Sequence, residues 1–259
     1  MEPRERRWLI PDHAGPRQDP SAYWVKEHDE RGYETTFSVG EDARLTNSIV
    51  DEVLRACPCR DVLVPGCGSR TALQETLLSR AAADLRVTAT DFEAVVAMAA
   101  RRFSHPRLTY ASLEATPPFR QAFDVVVAVN VLVMDSDLAN RELIESWAQA
   151  LRRGGTLVLL APLLFCGLDL VLLSEREDLR RCLDLEGSSW LEEEQGIRQI
   201  EYSPLRMRRV LKEAGLRLTD LRVAFLDGPS SREQSRLHYA LDDDDLLVYE
   251  QIVVARAAD

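Results

Sequence analysis

Apolar runs alternate with amphipathic segments along most of this chain, and their spacing predicts the order of strands and helices. In residues 41–56, apolar side chains recur every four positions, which predicts an amphipathic helix. The next run, residues 61–65, is continuously apolar in its centre, as in a strand that is buried on both faces. The β-branched run at residues 123–134 predicts another buried strand. Strands and helices that alternate in this way predict an α/β protein with a mostly parallel sheet.

A turn of small residues follows the first predicted strand. Gly66 and Gly68 flank Cys67, and a residue without Cβ lets the backbone approach a ligand closely. Ser69 is expected to cap the helix that follows. The second predicted strand ends at Asp91, at roughly the 20-residue spacing after the turn at which an acid meets a ribose hydroxyl. The pattern therefore predicts a nucleotide-type ligand beside this turn.

The third position of the turn motif decides between two cofactors. The dinucleotide fingerprint G-x-G-x-x-G needs a third glycine beneath a pyrophosphate, and Thr71 stands there, so a nicotinamide oxidoreductase is the distant alternative. The stretch VLVPGCGS instead resembles motif I of the class I S-adenosylmethionine-dependent methyltransferases, and V-P-G-C-G is similar to the thiopurine branch. Asp91, the strand in residues 123–134 and the segment LRRGGTLVL extend this resemblance, in the family's order, over residues 60–162.

The resemblance implies a fold, a reaction and a cofactor. The implied fold is an α/β, Rossmann-like three-layer sandwich whose mostly parallel seven-stranded sheet has an antiparallel last strand. The implied reaction is in-line SN2 transfer of a methyl group from S-adenosyl-L-methionine, which leaves S-adenosyl-L-homocysteine as product. For the domains, we expect an N-terminal arm and aromatic lid at residues 1–40. A methyltransferase domain follows at 41–259, with a helical cap inserted at 163–200.

The resemblance also implies which residues hold the cofactor. The turn would cup its methionine part and Asp91 would receive the ribose hydroxyls. Ser112, which stands where many family members have an acid, and the backbone N–H of Leu113 would serve the adenine. The full predicted set is Pro65, Gly66, Cys67, Gly68, Ser69, Asp91, Phe92, Ser112, Leu113, Asn130 and Val131.

Candidates for the chemistry lie at both ends of the chain. A methyl acceptor that must lose a proton needs a base, and His238 is the first candidate while His28 is the second. A surface histidine without a role is the alternative for each. The predicted substrate-facing residues are Tyr23, Trp24, Tyr33, Asp135 and Tyr239. The three lid aromatics could equally pack as an edge segment, Asp135 could cap a helix, and Trp190 is expected in the core of the cap.

Composition limits the acceptor and the partners. A net charge of −11 at pH 7 argues against nucleic acid and favours a small-molecule acceptor. The apolar stretch at 156–173 contains Pro162 and Asp169, so no membrane span is expected. A metal site like that of the catechol methyltransferases would need a further acid–Asn pair after the fifth strand, where only Asp169 stands, so no metal is predicted. The odd count of five cysteines suits a cytoplasmic location, and we expect a monomer or homodimer.

Two further alternatives stay open at this stage. SAYW, together with the glycine turn, is loosely similar to lysine methyltransferase relatives, which leaves a protein acceptor as the runner-up. Val64, Arg70 and Ser112 depart from the family's usual residues. These departures leave open an S-adenosylmethionine-binding protein that transfers no methyl group.

Overall fold

The computed structural model describes Val25 and residues 42–56, 59–113, 115–174, 176–192, 197–237, 239–241 and 246–258. The predicted arm and lid therefore lie outside the described residues, apart from Val25. The α-helices are α1 (Ala43–Arg55), α2 (Ala72–Arg80), α3 (Glu93–Arg102), α4 (Asp137–Ala150), α5 (Leu164–Leu173), α6 (Pro204–Glu213) and α7 (Pro229–Leu237). The strands are β1 (Asp61–Pro65), β2 (Arg86–Asp91), β3 (Leu108–Ser112), β4 (Phe123–Val129), β5 (Leu151–Pro162), β6 (Leu183–Asp184), β7 (Ser189–Glu192), β8 (Ile197–Ile200), β9 (Leu216–Phe225) and β10 (Tyr249–Ala257).

The main sheet has the strand order β3-β2-β1-β4-β5-β10-β9. The pairs from β3 to β5 are parallel, and β10 runs antiparallel to both of its neighbours. The chain moves outward from β1 to β3 and then returns to place β4 on the other side of β1. This reversal is a topological switch point, where open α/β sheets bind their ligands at the carboxyl ends of the strands. The predicted fold class is confirmed.

Two apolar cores cover the two faces of this sheet, which makes three layers. One core packs α1, α2 and α5 against the sheet and includes Ile49, Leu77 and Leu170. The other packs α4 and α6 against the opposite face and includes Trp147 and Leu211. Strands that are covered on both faces are mostly apolar, as residues 125–129 of β4 and 157–161 of β5 already indicate. None of the helices in the described ranges is long and apolar enough to cross a membrane.

Side chains cap two of the helices, whereas the cap predicted at Ser69 is absent. Asp42 caps α1 by accepting from the N–H groups of Arg44 and Leu45, and Ser136 caps α4. Ser69, however, does not cap α2, which begins three residues later, after Thr71. The cap prediction is wrong because Ser69 is fully buried and Arg102 donates to its carbonyl oxygen at 3.0 Å.

The insert after β5 is only partly the helical cap that the sequence predicts. It begins with α5 and a 3₁₀ helix at Glu177–Arg181, and then forms a small antiparallel sheet in the order β6-β7-β8. The helical prediction is wrong for β6, β7 and β8, because Trp190 is buried through strand pairing with Leu183 on one side and Gln199 on the other. Trp190 packs so closely on α5 that a Cβ on Gly167 would lie 2.8 Å from its ring. Its predicted place in the core is confirmed.

Candidate active site

The carboxyl ends of the central parallel strands bring most of the predicted cofactor residues to one edge of the sheet. Asp91, at the end of β2, lies opposite Ser112 at the end of β3. The turn after β1 is tied to β2 because the N–H of Cys67 donates to the Thr90 carbonyl at 3.0 Å. The N–H of Asn130, just past β4, donates to the Leu160 carbonyl at 2.9 Å. Segments that are far apart in the sequence therefore meet at the switch point.

Backbone conformation explains the two glycines of the turn. Gly66 and Gly68 have φ angles of 59° and 63°, in the left-handed region that side chains with a Cβ rarely adopt. At Gly66 there is also no room, since a Cβ would lie 2.6 Å from Cγ2 of Val131. Val131 therefore seats the turn against the end of β4. Pro65 precedes the turn as the buried last residue of β1.

Asp91 is held by the backbone around it. The N–H of Gly68 donates to its Oδ2 at 2.8 Å, and the N–H of Phe92 donates to its Oδ1 at 2.8 Å. The side chain is 7% exposed. A carboxylate oxygen accepts more than one hydrogen bond, so these contacts fix the orientation of the group without using up its capacity. The carboxylate is thus preorganised at the carboxyl end of β2.

The thiol of Cys67 is chemically quiet. Burial raises its pKa far above the usual range, and the charge of Asp91 adds to the effect. A thiolate nucleophile at this position is therefore disfavoured. Burial also raises the pKa of Tyr110 to about 12, with smaller contributions from Cys67 and Glu75. The Tyr110 hydroxyl makes no hydrogen bond within the described ranges, so a buried polar atom that the sequence reasoning missed lies near the turn.

At the end of β3, the structure assigns the polar groups differently from the prediction. The N–H of Leu113, which was expected to serve the adenine, donates to the Asp91 carbonyl at 3.0 Å. What Leu113 presents to solvent is its apolar side chain, which is 49% exposed. Phe92 and Ser112 are half-buried on either side of it. This end of the edge therefore offers apolar surface in addition to the Asp91 carboxylate.

On the other side of the switch point, the half-buried Asn130 and the buried Glu250 form a polar pair. Asn130 has a φ of 53°, a left-handed conformation that asparagine tolerates. Its side chain hydrogen-bonds Glu250, which lies on β10 opposite Pro162, the last residue of β5. Glu250 is 5% exposed, and burial raises the pKa of its carboxyl to about 8 while the Asn130 hydrogen bond opposes the shift. The sequence reasoning missed Glu250, although an acid in the apolar run LLVYEQIVVA is a visible signal.

Two more carboxyl groups lie near Glu250, around the buried thiol of Cys166 on α5. Burial raises the pKa of this thiol, and the negative charges of Glu201, Glu250 and Asp169 raise it further. The Tyr249 N–H donates to the Cys166 sulfur at 3.4 Å, and the Tyr249 hydroxyl hydrogen-bonds Asp169. We refer to Asp169, Glu201 and Glu250 as the acidic cluster. Its three members all act on the Cys166 thiol, which accepts a hydrogen bond from the start of β10.

Comparison with known proteins agrees with the geometry of the edge. The family model described as Methyltransferase domain matches residues 63–159, from β1 to β5. The chain contains a class I methyltransferase domain. Members of this class use S-adenosylmethionine, so the predicted family, enzyme class and cofactor are confirmed. No curated protein matches the sequence.

Several solved structures share the fold of this methyltransferase domain. An S-adenosylmethionine-dependent methyltransferase of Methanosarcina mazei is 15% identical, with a TM-score of 0.55 over 76% of this chain and 92% of the other. A second match comes from the complex between the Haloferax volcanii Trm112 methyltransferase activator and a methyltransferase. The sequence identity is 17%, and the TM-score is 0.59 over 95% of this chain and 100% of the other. The 4+2 cyclase SpnF is 18% identical, with a TM-score of 0.55 over 83% of this chain and 81% of the other. At these identities the likeness is one of fold.

The predicted catalytic and substrate residues of the methyltransferase divide into two groups. His238, His28, Tyr23, Trp24 and Tyr33 lie outside the described residues, and their roles stay predictions. The described pair is Asp135 and Tyr239.

Of this pair, Asp135 is exposed, while the cap of α4 is Ser136, which accepts from the Ala139 N–H at 3.4 Å. Tyr239 is buried and packs edge-on against Trp190, with ring centroids 6.3 Å apart. Tyr239 therefore belongs to the same apolar core as Trp190. In the described part of the chain, no group of three or more His, Cys, Asp or Glu side chains could hold a metal ion.

Proposed function

We propose that this protein transfers the methyl group of S-adenosylmethionine to a small-molecule acceptor. One observation supports the proposal above the others. The turn with Asp91 lies on one side of the switch point, and the Asn130–Glu250 pair lies on the other. A cofactor on the first side and an acceptor on the second would meet across β1 and β4.

The cofactor side has groups that suit each part of S-adenosylmethionine. Asp91 would accept from the ribose hydroxyls, since its two backbone donors already hold the carboxylate in place. The exposed side chain of Leu113 and the half-buried Phe92 would enclose the adenine. The turn and the backbone at Asn130 would contact the methionine part. When bound, this cofactor supplies a methyl group on a positively charged sulfur.

The chain itself would orient the acceptor and exclude water from it. The acceptor side is bounded by the carboxyl ends of β4 and β5, by the start of β10 and by the insert that contains α5. Orientation and desolvation are the main contributions that a protein makes when the transferred group is already activated. The Asn130–Glu250 pair adds polar groups that can hold one end of the acceptor in a fixed position.

A small acceptor suits the charge of the chain better than nucleic acid does. The net charge of −11 would repel phosphate groups, whose binding requires clustered lysine and arginine. A protein lysine side chain is the runner-up acceptor. A third possibility is chemistry without methyl transfer, because one protein with this fold is a cyclase. We propose a single chain or a homodimer as the active form.

Calorimetric titration with S-adenosylmethionine, S-adenosylhomocysteine and NADH, run side by side, tests the cofactor part of the proposal. We expect micromolar binding of the two sulfur ligands and none of NADH. A screen for methyl transfer with radiolabelled cofactor then tests the reaction. Binding without transfer to any small molecule or lysine peptide would favour the alternative without methyl transfer, and absence of binding would overturn the proposal.

A further inference from the structure

Glu250 is an acid in a place where an acid is costly. It lies in the second position of β10, at the carboxyl edge, and has almost no exposure to solvent. Its Oε2 makes no hydrogen bond within the described ranges, and neither does Oδ1 of its partner Asn130. Buried polar atoms are normally satisfied, so two unsatisfied oxygens on adjoining side chains indicate a partner that belongs between them.

Among the described residues, the groups that act on Glu250 or on the Cys166 thiol near it include no cation. Asn130 lies beyond β4, Cys166 and Asp169 lie on α5, Glu201 follows β8, and Tyr249 precedes it on β10. All of these groups are neutral or acidic. Desolvation and the Asn130 hydrogen bond are the two influences on the Glu250 pKa. An ionised carboxylate in such surroundings needs a positive partner, because an uncompensated buried charge is strongly unfavourable.

Position in the sheet separates this carboxyl from the proposed cofactor contacts. Asp91 on β2 and Glu250 on β10 are four strand spacings apart across β1, β4 and β5. At about 4.8 Å for each spacing, their backbones lie roughly 19 Å apart. The hydrogen bond with Asn130 directs the Glu250 carboxyl toward β4. Glu250 is thus placed on the acceptor side rather than beside the ribose site.

We propose that Glu250, oriented by Asn130, binds the acceptor and removes its proton, and that this acceptor is a small amine that enters as an ammonium ion. This inference rests on the proposed function, whose acceptor class it specifies. Glu250 is a new assignment for the base, in place of the histidines that the sequence favours. Asn130 would act as a positioning residue through its hydrogen bond to the carboxyl.

The proton and electron balance of the step is simple. The Glu250 carboxylate takes one proton from the R–NH₃⁺ acceptor and becomes a carboxylic acid, which leaves R–NH₂ with a lone pair. The amine nitrogen then attacks the methyl carbon, so that an N–C bond forms while the S–C bond breaks. The electron pair of the broken bond stays on sulfur as a neutral thioether, and the product is R–NH₂⁺–CH₃. Glu250 later releases its proton to solvent.

The acidic cluster favours an amine over other acceptors. A phenol would become an anion, and Asp169 and Glu201 would repel it. An amine instead goes from a cation to a neutral group, so the surrounding acids attract the incoming form. A thiol forms its nucleophilic anion with little help and does not need a buried base. Glu250, with a pKa of about 8, is suited to act as a base near neutral pH.

A proton-linkage experiment tests the inference without relying on turnover. The protein is saturated with S-adenosylhomocysteine and titrated calorimetrically with benzylamine, 2-phenylethylamine and n-hexylamine, and with their isosteric alcohols. Each titration is repeated in buffers of different ionisation enthalpy. At pH 6.5 to 7, we expect at least one amine to bind with release of close to one proton, because Glu250 is protonated beforehand and the complex holds one proton fewer. Glu250→Gln should release none, and the alcohols should bind at least 10-fold more weakly.

Measurements of methyl transfer, with Glu145→Gln as the control variant, complete the test. Glu250→Gln should lower amine methylation 100-fold or more, while its affinity for S-adenosylhomocysteine stays within 3-fold of wild type. Glu145→Gln, at an exposed position on α4, should change neither quantity. Two results would overturn the amine inference and leave the proposed function standing, provided that S-adenosylhomocysteine binds normally. One is amine binding that releases no proton, and the other is methylation of alcohols or thiols alone. Loss of S-adenosylhomocysteine binding in Glu250→Gln would also overturn it, since Glu250 would then serve the cofactor.

Discussion

Two acids at opposite edges of the main sheet, Asp124 and Glu250, have opposite surroundings. At the amino edge, where β1, β2, β4 and β5 begin, Asp124 accepts from the N–H of Arg60 at 2.8 Å and from Arg152 at 2.7 Å. Arg152 also donates to Asp61 at 2.9 Å. At the carboxyl edge, Glu250 has a single amide partner and no cation among the groups that face it within the described ranges. The charge of Asp124 is therefore compensated, whereas no cation among the described residues compensates Glu250.

The carboxyl pKa values record this difference. Burial alone would raise the pKa of Asp124, but the backbone N–H of Arg60 and the Arg152 guanidinium outweigh it, and the pKa falls below 3.8. For Glu250, burial dominates and the pKa rises to about 8. An acid that stabilises the fold is supplied with donors by the fold itself. An acid that lacks them at a ligand-binding edge is a candidate for function.

The largest expected effect in this comparison is on the pH dependence of stability. Because the folded-state pKa of Glu250 exceeds its unfolded value of 4.5, the folded protein binds the extra proton between pH 4.5 and 8, and stability falls as pH rises through that window. Ionisation of Glu250 should lower the free energy of unfolding by about 4 kcal/mol at pH 8, and Glu250→Gln should remove this loss. Urea unfolding at pH 5 and pH 8, with Glu145→Gln as control, measures the difference in free energy. Equal pH slopes for wild type and Glu250→Gln would contradict the prediction.

Asp91 should show the next largest effect, on cofactor affinity. Asp91→Ala removes the carboxylate proposed to bind the ribose and should weaken S-adenosylhomocysteine binding by about 2 to 3 kcal/mol, on the order of 100-fold. Asp91→Asn keeps an oxygen for one backbone N–H and should lose less affinity. Calorimetry gives both affinities, and a thermal melt checks the fold. Unchanged affinity in Asp91→Ala would place the ribose elsewhere.

At the opposite edge, Asp124→Ala should change stability and leave binding alone. It removes the acceptor of two backbone N–H groups and of Arg152, which should cost about 2 kcal/mol. Because the pKa of Asp124 is lowered in the folded state, its contribution is present at neutral pH and is lost as pH falls below 3.8. Denaturant unfolding at pH 7 and calorimetry with S-adenosylhomocysteine are the two measurements. A 10-fold loss of affinity would show that the two edges are not independent.

The smallest effect is expected at Arg86, which lies at the exposed end of the hydrogen bonds that join Asp124, Arg152 and Asp61. Arg86 pairs with Asp61 at 3.1 Å, but its side chain is 70% exposed. Solvent screens such a pair, so Arg86→Ala should cost less than about 1 kcal/mol. Denaturant unfolding at low and high salt compares it with Asp124→Ala. A cost equal to that of Asp124→Ala would mean that the exposed Arg86–Asp61 pair matters as much as the central hydrogen bonds.

The sequence predicts the parts of this molecule that depend on local pattern. The apolar run of β4 predicts a buried strand, and the periodicity of α1 predicts a helix that covers the sheet. The glycines together with Asp91 indicate the nucleotide side of the switch point. The antiparallel pairing of β7 with β6 and β8 was missed, because the apolar side chains of these short segments do not show the strict alternation that predicts a strand.

The Asn130–Glu250 pair could not be predicted for a different reason. The two residues are far apart in the sequence and are brought together only when β10 enters the sheet beside β5. A strand pattern shows that an acid lies in an apolar run, but not which group faces it. Likewise, serine is a residue type that often caps helices, so the sequence suggests Ser69 as a cap. Its contact with the distant Arg102, and the start of α2 at Ala72, are visible only in the structure.

The most direct test of the contrast between the edges is a carboxyl titration by ¹³C NMR on side-chain-labelled protein. Glu250→Gln and Asp124→Asn assign the two signals by their disappearance. The account predicts that Glu250 titrates near pH 8 in the ligand-free protein and shifts to a lower pKa when an amine binds, while Asp124 stays ionised down to below pH 3.8. Two carboxyls that both titrate near pH 4, with no response to an amine, would contradict it.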